Sequence, residues 1–220
     1  MTDLVAVIIP ARPQEPFLAD AVASVLAQPE LTHLVIATHE RDSPTAQWVG
    51  QHRDTRVALV ISNGPSAGEN LDAGIAHIDA PWLAFLDADD TWPAGRLGAG
   101  LAAARRSPGA ELVLGQQRAM TADGELLEAI APAPLLGAAL ITRAAADRIG
   151  PFGDTMVAQM RWLLRARELA IPTVVLDEVV LHRRGHAGNL SRVKSAELHR
   201  AYLQLARERA ASQRSAGSHS

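Results

Sequence analysis

The 220-residue chain has room for one well-filled core, and 48% apolar against 20% charged residues puts it in the globular range rather than the disordered one. A formal net charge of −3 gives no global positive field to recruit nucleic acid, so any polyanion site must be local. With no cysteine, disulfides, thiolate nucleophiles and cysteine-bound metal centres are excluded together.

Leu4 to Pro10 is a β-branched run without alternation, the pattern of a strand covered on both faces. It has no basic leader and is too short for a membrane span, so no spanning segment and a cytoplasmic location are expected. Pro16 opens a helical stripe of Leu18, Val22, Val25 and Leu26. Further apolar runs at Leu34–Ala37, Val57–Ile61 and Trp82–Leu86 leave room for crossovers, so the first ~90 residues read as the nucleotide-binding half of an α/β fold. The turn cluster Asn63–Gly68 precedes a short helix, Leu71–Ile78.

Beyond Asp90 the spacing predicts a helix from Pro93 to about Arg106 and strands at Glu111–Gly115 and Leu135–Thr142, with a polar hairpin around Ala122-Asp123-Gly124. Then come a helix at Met156–Ala170, a strand at Thr173–Leu181 and an amphipathic helix from Ala196 to about Ala211 carrying Leu198, Tyr202 and Leu205. A single domain is expected over 1–211, with halves at 1–92 and 93–195, the C-terminal helix at 196–211 and a tail at 212–220.

The most informative residues are Asp87, Asp89 and Asp90, three carboxylates where a buried strand runs out. In open α/β sheets ligands bind beyond the carboxyl ends of the strands. Asp87 and Asp89 share a side if strand geometry continues, and oxygen-only ligands suit Mg2+ or Mn2+. The plainer alternative has Asp90 capping the next turn and the others solvated.

The sequence resembles the family 2 glycosyltransferases of the GT-A fold, with a mixed, mainly parallel sheet flanked by helices. The resemblance lies in Val7-Ile8-Ile9-Pro10, Ser24–Gln28, Phe85–Asp90 with Trp92, and Arg183–Ser191. It implies a nucleotide-diphospho-sugar donor and a DxD-type element, Asp87 and Asp89, binding the diphosphate through Mn2+ or Mg2+, with His186 as a further metal ligand. It implies donor contacts from Pro10, Arg12, His39, Asp72, Ala88, Arg183 and Arg184. Asn189 is expected to fix its own loop, and Arg192, Lys194 and Arg200 to be solvated. The acceptor is open between a small molecule, a peptide and a lipid head group.

Three stretches depart from the family pattern. Thr38-His39 stands where a carboxylate holds the nucleoside base, and Asp72 stands for an asparagine. Ala158-Gln159 replaces the acidic pair ahead of Trp162, where inverting transfer needs a proton acceptor that a primary amide cannot be. Asp154, expected to cap the following helix, and His186 are the other candidates for that task. Two functions follow: a metal-dependent inverting glycosyltransferase, or a catalytically impaired relative that binds without turnover. A sugar-phosphate nucleotidyltransferase comes third, for want of a Gly-rich basic run near the N-terminus.

Overall fold

The computed structural model describes residues 4–188, 197–201 and 203–207. The chain divides into two compact units, residues 1–185 and 186–220. The expectations for Asn189, Arg192, Lys194 and Tyr202 lie outside the described residues. In the second unit, residues 197–201 and 203–207 are helical.

The first unit is built on an eight-stranded sheet in the order β3-β2-β1-β4-β7-β5-β6, with β8 on the other edge of β5. Strands β1 (Val5–Pro10), β2 (Leu31–Thr38), β3 (Val57–Ile61) and β4 (Trp82–Phe85) are mutually parallel where they pair. Strand direction changes beyond β4. β7 (Leu140–Thr142) runs antiparallel to both β4 and β5 (Leu112–Met120), β6 (Leu126–Ala133) closes a hairpin on β5, and β8 (Thr173–Arg184) returns parallel to β5.

The unbroken apolar run of β1 has a direct cause. Val5, Val7 and Ile9 enter one core with α1 (Leu18–Leu26), α2 (Pro44–Gly50) and α4 (Arg96–Arg106). Ala6 and Ile8 enter a second core with α3 (Ala67–Ala76), α5 (Arg143–Ile149) and α6 (Ala158–Glu168). Successive side chains of a strand point to opposite faces, so a strand clad on both sides must be apolar at every position. Close approach of α3 is enforced at Gly74, where a Cβ would stand 2.5 Å from Ile8 Cγ2.

Helix starts follow local chemistry where the chain supplies it. Ser66 and Glu69 form a reciprocal capping box on α3, Ser43 caps α2 ahead of Pro44, and Thr142 caps α5. Several expected boundaries move, two of them with consequences for the site. The run expected as one strand from Leu135 splits into a 3-10 turn at Leu136–Ala138 and the short β7. The helix expected from Met156 starts at Ala158, with Val157 as an N-cap that offers no side-chain bond, so Asp154 is exposed and caps nothing.

Candidate active site

The carboxylates lie just past β4, whose end sits beside the ends of β1 and β2. Strand geometry does not continue through them as expected. Asp90 N–H donates to the Asp87 carbonyl at 3.1 Å, closing a turn that places Asp87 and Asp89 at its first and third positions. Ala88, between them, is buried and fixes the turn against the core.

Asp90 and Arg184 carry the scaffold. Asp90 is 4% exposed, and its carboxylate accepts the Arg184 backbone N–H at 2.8 Å. The Arg184 guanidinium donates to the carbonyls of Asp89 (2.9 Å) and Ala122 (2.7 Å) and to Asp20 Oδ2 (2.8 Å), with the Phe17 ring 4.5 Å away. Arg184 is thus buried and engaged by the turn and its neighbours. Arg183 is the exposed one of the pair, and its charge acts on Asp87 and Asp90.

Burial, and then the charge of Asp89, push Asp87 up to about 6. Burial, then Asp87 and Asp89, push Asp90 up to about 8. Three carboxylates in one turn are thus mutually destabilising when ionised. This crowding, with donor atoms that are all oxygen, fits a hard divalent cation, which relieves the repulsion. Among the described residues no three His, Asp or Glu side chains form a metal cage. Within the turn, Asp90 is committed to the Arg184 backbone N–H and Asp87 to Gln159.

The sign of this crowding is testable. An acid whose folded pKa is raised gives stability that is full below its unfolded value, near 3.8, and lost as pH rises through the folded value, near 8 for Asp90. Asp90→Asn keeps an oxygen for the Arg184 N–H and removes the titration. In metal-free buffer the variant should match the parent near pH 4 and unfold at a higher temperature near pH 8. A variant less stable than the parent at pH 8 would show that Asp90 is not under strain.

The opposite wall is α6. Gln159 Nε2 donates to Asp87 Oδ1 at 2.9 Å. A carboxylate only accepts, so the amide nitrogen must face it, and the amide oxygen takes no hydrogen bond among the described residues. Gln159 thus braces the acidic turn. Sequence reasoning placed Gln159 in the site but missed this contact, for which no local signal exists.

The loop that delivers α6 is anchored from the donor half. Asp72 on α3 accepts the backbone N–H groups of Phe152 (2.8 Å) and Gly153 (3.0 Å). Phe152 stacks on Trp162 at 4.8 Å, and Trp162 Nε1 donates to the Gly150 carbonyl. Gly68 is required here, because a Cβ would stand 1.9 Å from the Gly153 oxygen. Both Asp72 oxygens are engaged, so the side chain clasps this loop. Asp72→Asn keeps one acceptor and turns an N–H against the other donor. A loss of about 1 to 3 kcal/mol in urea unfolding is expected, with unchanged nucleotide affinity.

On the β1 side, Arg12 is exposed and pairs with Glu15 at 2.9 Å. That bond chiefly, with a smaller part from Asp89, stabilises its charge. Pro10 ends β1 against Ala37 of β2. At the end of β2, the Thr38 hydroxyl and His39 Nδ1 are buried without hydrogen-bond partners, while His39 Nε2 lies 3.3 Å from Glu40. In the second unit, His186 Nδ1 accepts the Gly188 N–H at 3.1 Å.

A doubly clad sheet ending in an acidic turn, faced by a helix from the second half, is the GT-A arrangement of sugar-nucleotide enzymes. The profile of Glycosyl transferase family 2 matches residues 6–128, more than half of the chain, and the protein belongs to that family. Succinoglycan biosynthesis protein ExoU of Rhizobium meliloti (strain 1021) is 34% identical over 99 residues, 43% of this chain and 28% of ExoU. The S. aureus TarS 1-349 structure with UDP-GlcNAc shares the fold at a TM-score of 0.64 and 16% identity, over 84% of this chain and 60% of that one. The mannosyltransferase PcManGT from Pyrobaculum calidifontis, with GDP-Man and Mn2+, matches at 0.61 and 18% identity, over 81% of this chain and 56% of that one. The chain thus spans less than two thirds of the length of each. No helix among the described residues is long and apolar enough to cross a membrane.

Proposed function

We propose that the protein is a metal-dependent inverting glycosyltransferase, moving a sugar from a nucleoside diphosphate donor to a hydroxyl-bearing acceptor. The observation that carries this is the turn at Asp87–Asp90, strained by its own charge and braced from the second half by Arg184 and Gln159. TarS with UDP-GlcNAc and PcManGT with GDP-Man and Mn2+ support a diphosphate and a divalent ion in such a fold. Asp87 and Asp89 would hold Mn2+ or Mg2+, which when bound stabilises the charge on the departing diphosphate.

The chain's own groups have separable tasks. Arg12 and Arg183, both exposed and both acting electrostatically on the carboxylate turn, suit charge-assisted bonds to phosphate oxygens. The Thr38 hydroxyl and His39 nitrogen, buried without a partner among the described residues, stand where the family pattern has the carboxylate that holds the nucleoside base. Gln159 orients the acceptor hydroxyl through its amide oxygen but cannot take the proton.

A second reading, binding without turnover, is favoured by one observation: the side chain in the proton-acceptor slot is an amide already bonded to Asp87. Incubating the protein with a panel of UDP- and GDP-sugars and Mn2+ separates the two. Release of nucleoside diphosphate, as slow donor hydrolysis or faster with an acceptor, is the outcome the first reading requires. Tight metal-dependent binding with no release from any donor would establish the second.

A further inference from the structure

Glu15 takes no part in the carboxylate turn, yet its side chain is only 4% exposed and both of its oxygens are bonded by Arg12. Arg12 Nε donates to Oε2 at 2.9 Å and Nη2 to Oε1 at 3.1 Å, the two parallel bonds of a guanidinium fork on a carboxylate. The backbone beneath is pinned as well. Thr45, buried at the start of α2, donates from Oγ1 to the Arg12 carbonyl at 2.7 Å and from its N–H to the Pro13 carbonyl at 3.0 Å. Pro13 and Pro16 fix φ on either side of Glu15. What this loop leaves free to wander is the long Arg12 side chain, and Glu15 holds it.

Stability alone does not account for a carboxylate in that position. Taking it out of water is costly, and its partner is 55% exposed, so the two gain little as an ion pair. Their place is more telling. The charge of Asp89 acts on Arg12 and that of Glu15 on Asp87, so the pair lies alongside the acidic turn. A guanidinium carries five N–H groups in one plane, and the fork on Glu15 uses two of them. The other three lie along the remaining edges of the plane, and Glu15 fixes their direction.

We infer that Glu15 is a positioning residue for the donor, holding the Arg12 guanidinium ready for the diphosphate so that the rotamer freedom of that side chain is lost before the ligand arrives. This role rests on the proposed function, in which Arg12 bonds phosphate oxygens. It also carries a sign of its own. Glu15 is a negative charge beside the site of a polyanion, so on Coulomb attraction alone its removal should tighten nucleotide binding. As the brace of Arg12, its removal should loosen it.

The test is calorimetric titration of the full chain with UDP and GDP in Mn2+, using whichever the parent binds. Arg12→Ala should weaken binding by about 10- to 100-fold, the loss of charge-assisted bonds. Glu15→Gln, which removes the charge and one acceptor, should weaken it by about 2- to 10-fold, the cost of ordering one long side chain on binding. Glu15→Asp, which keeps the charge but falls short of the fork, should lose as much. In the Arg12→Ala background neither change at Glu15 should weaken binding further. A thermal melt without nucleotide checks the fold of each variant, and should Glu15→Gln not fold, Glu15→Asp decides alone. Equal or tighter binding by the Glu15 variants, parent-like binding by Arg12→Ala, or a further loss in the Arg12→Ala background would overturn the positioning role and leave the donor site standing. A parent that binds neither nucleotide would overturn the proposed function itself, and this role with it.

Discussion

Gln159→Glu should speed sugar transfer at saturating donor and Mn2+ by about 10^2 to 10^4, the range a positioned general base contributes. The side chain already reaches the acidic turn, since Nε2 lies 2.9 Å from Asp87 Oδ1. Replacing the amide with a carboxylate therefore adds a proton acceptor without moving the backbone. The gain has a condition. Without metal, the introduced carboxylate would confront Asp87, which burial and Asp89 already raise to about 6, and the new pair would share one proton. With a divalent ion on Asp87, both can ionise. The rate gain should accordingly be steeper in metal concentration than for the parent, and Gln159→Ala, which removes the Asp87 contact and adds no base, should show no gain. If Gln159→Glu leaves transfer unchanged while binding donor normally, the proton leaves by another route and the missing-base reading fails.

Asp89→Ala is expected to weaken metal-dependent nucleotide binding by about 100-fold or more, a larger loss than outer-shell changes produce. Asp89 is the member of the cluster whose side chain is not the one bonded to Gln159 or to the Arg184 backbone. Its backbone carbonyl, not its carboxylate, accepts the Arg184 Nε–H, so truncating the side chain leaves the brace in place. Removing its charge should also let Asp87 and Asp90 ionise more easily, and the metal-free variant should be at least as stable as the parent at pH 8. Loss of affinity together with retained stability separates a ligand from a structural residue. A calorimetric titration in Mn2+ beside a thermal melt reads both.

Much of this was legible in the sequence where a single local force decides the outcome. The four parallel strands announced themselves because two-sided cladding demands an unbroken apolar run, and β3 falls on its expected bounds. The acidic turn was visible because three carboxylates at a strand end are costly anywhere else. β6 was missed because both of its faces are exposed up to Pro132, which leaves no periodicity to read. The roles of Asp72, Arg184 and Gln159 were missed for a different reason. Each is defined by a partner from a remote part of the chain: the 152–153 amides, the carbonyls of Asp89 and Ala122, and the Asp87 carboxylate. Composition and spacing describe a residue's own segment, and a charged side chain looks the same whether it binds a ligand or clasps a loop. The resemblance supplied the family, while the geometry shows Asp72 and Arg184 bonded into the frame around the acidic turn.

The most direct measurement is a calorimetric titration of the protein with UDP and with GDP, in Mn2+ and again in chelator. At least one nucleotide should bind in Mn2+ and lose most of its affinity in chelator, and Asp89→Ala should bind as weakly as the chelated parent. Affinity that is the same with and without metal, or that survives Asp89→Ala intact, would contradict a divalent ion held by Asp87 and Asp89.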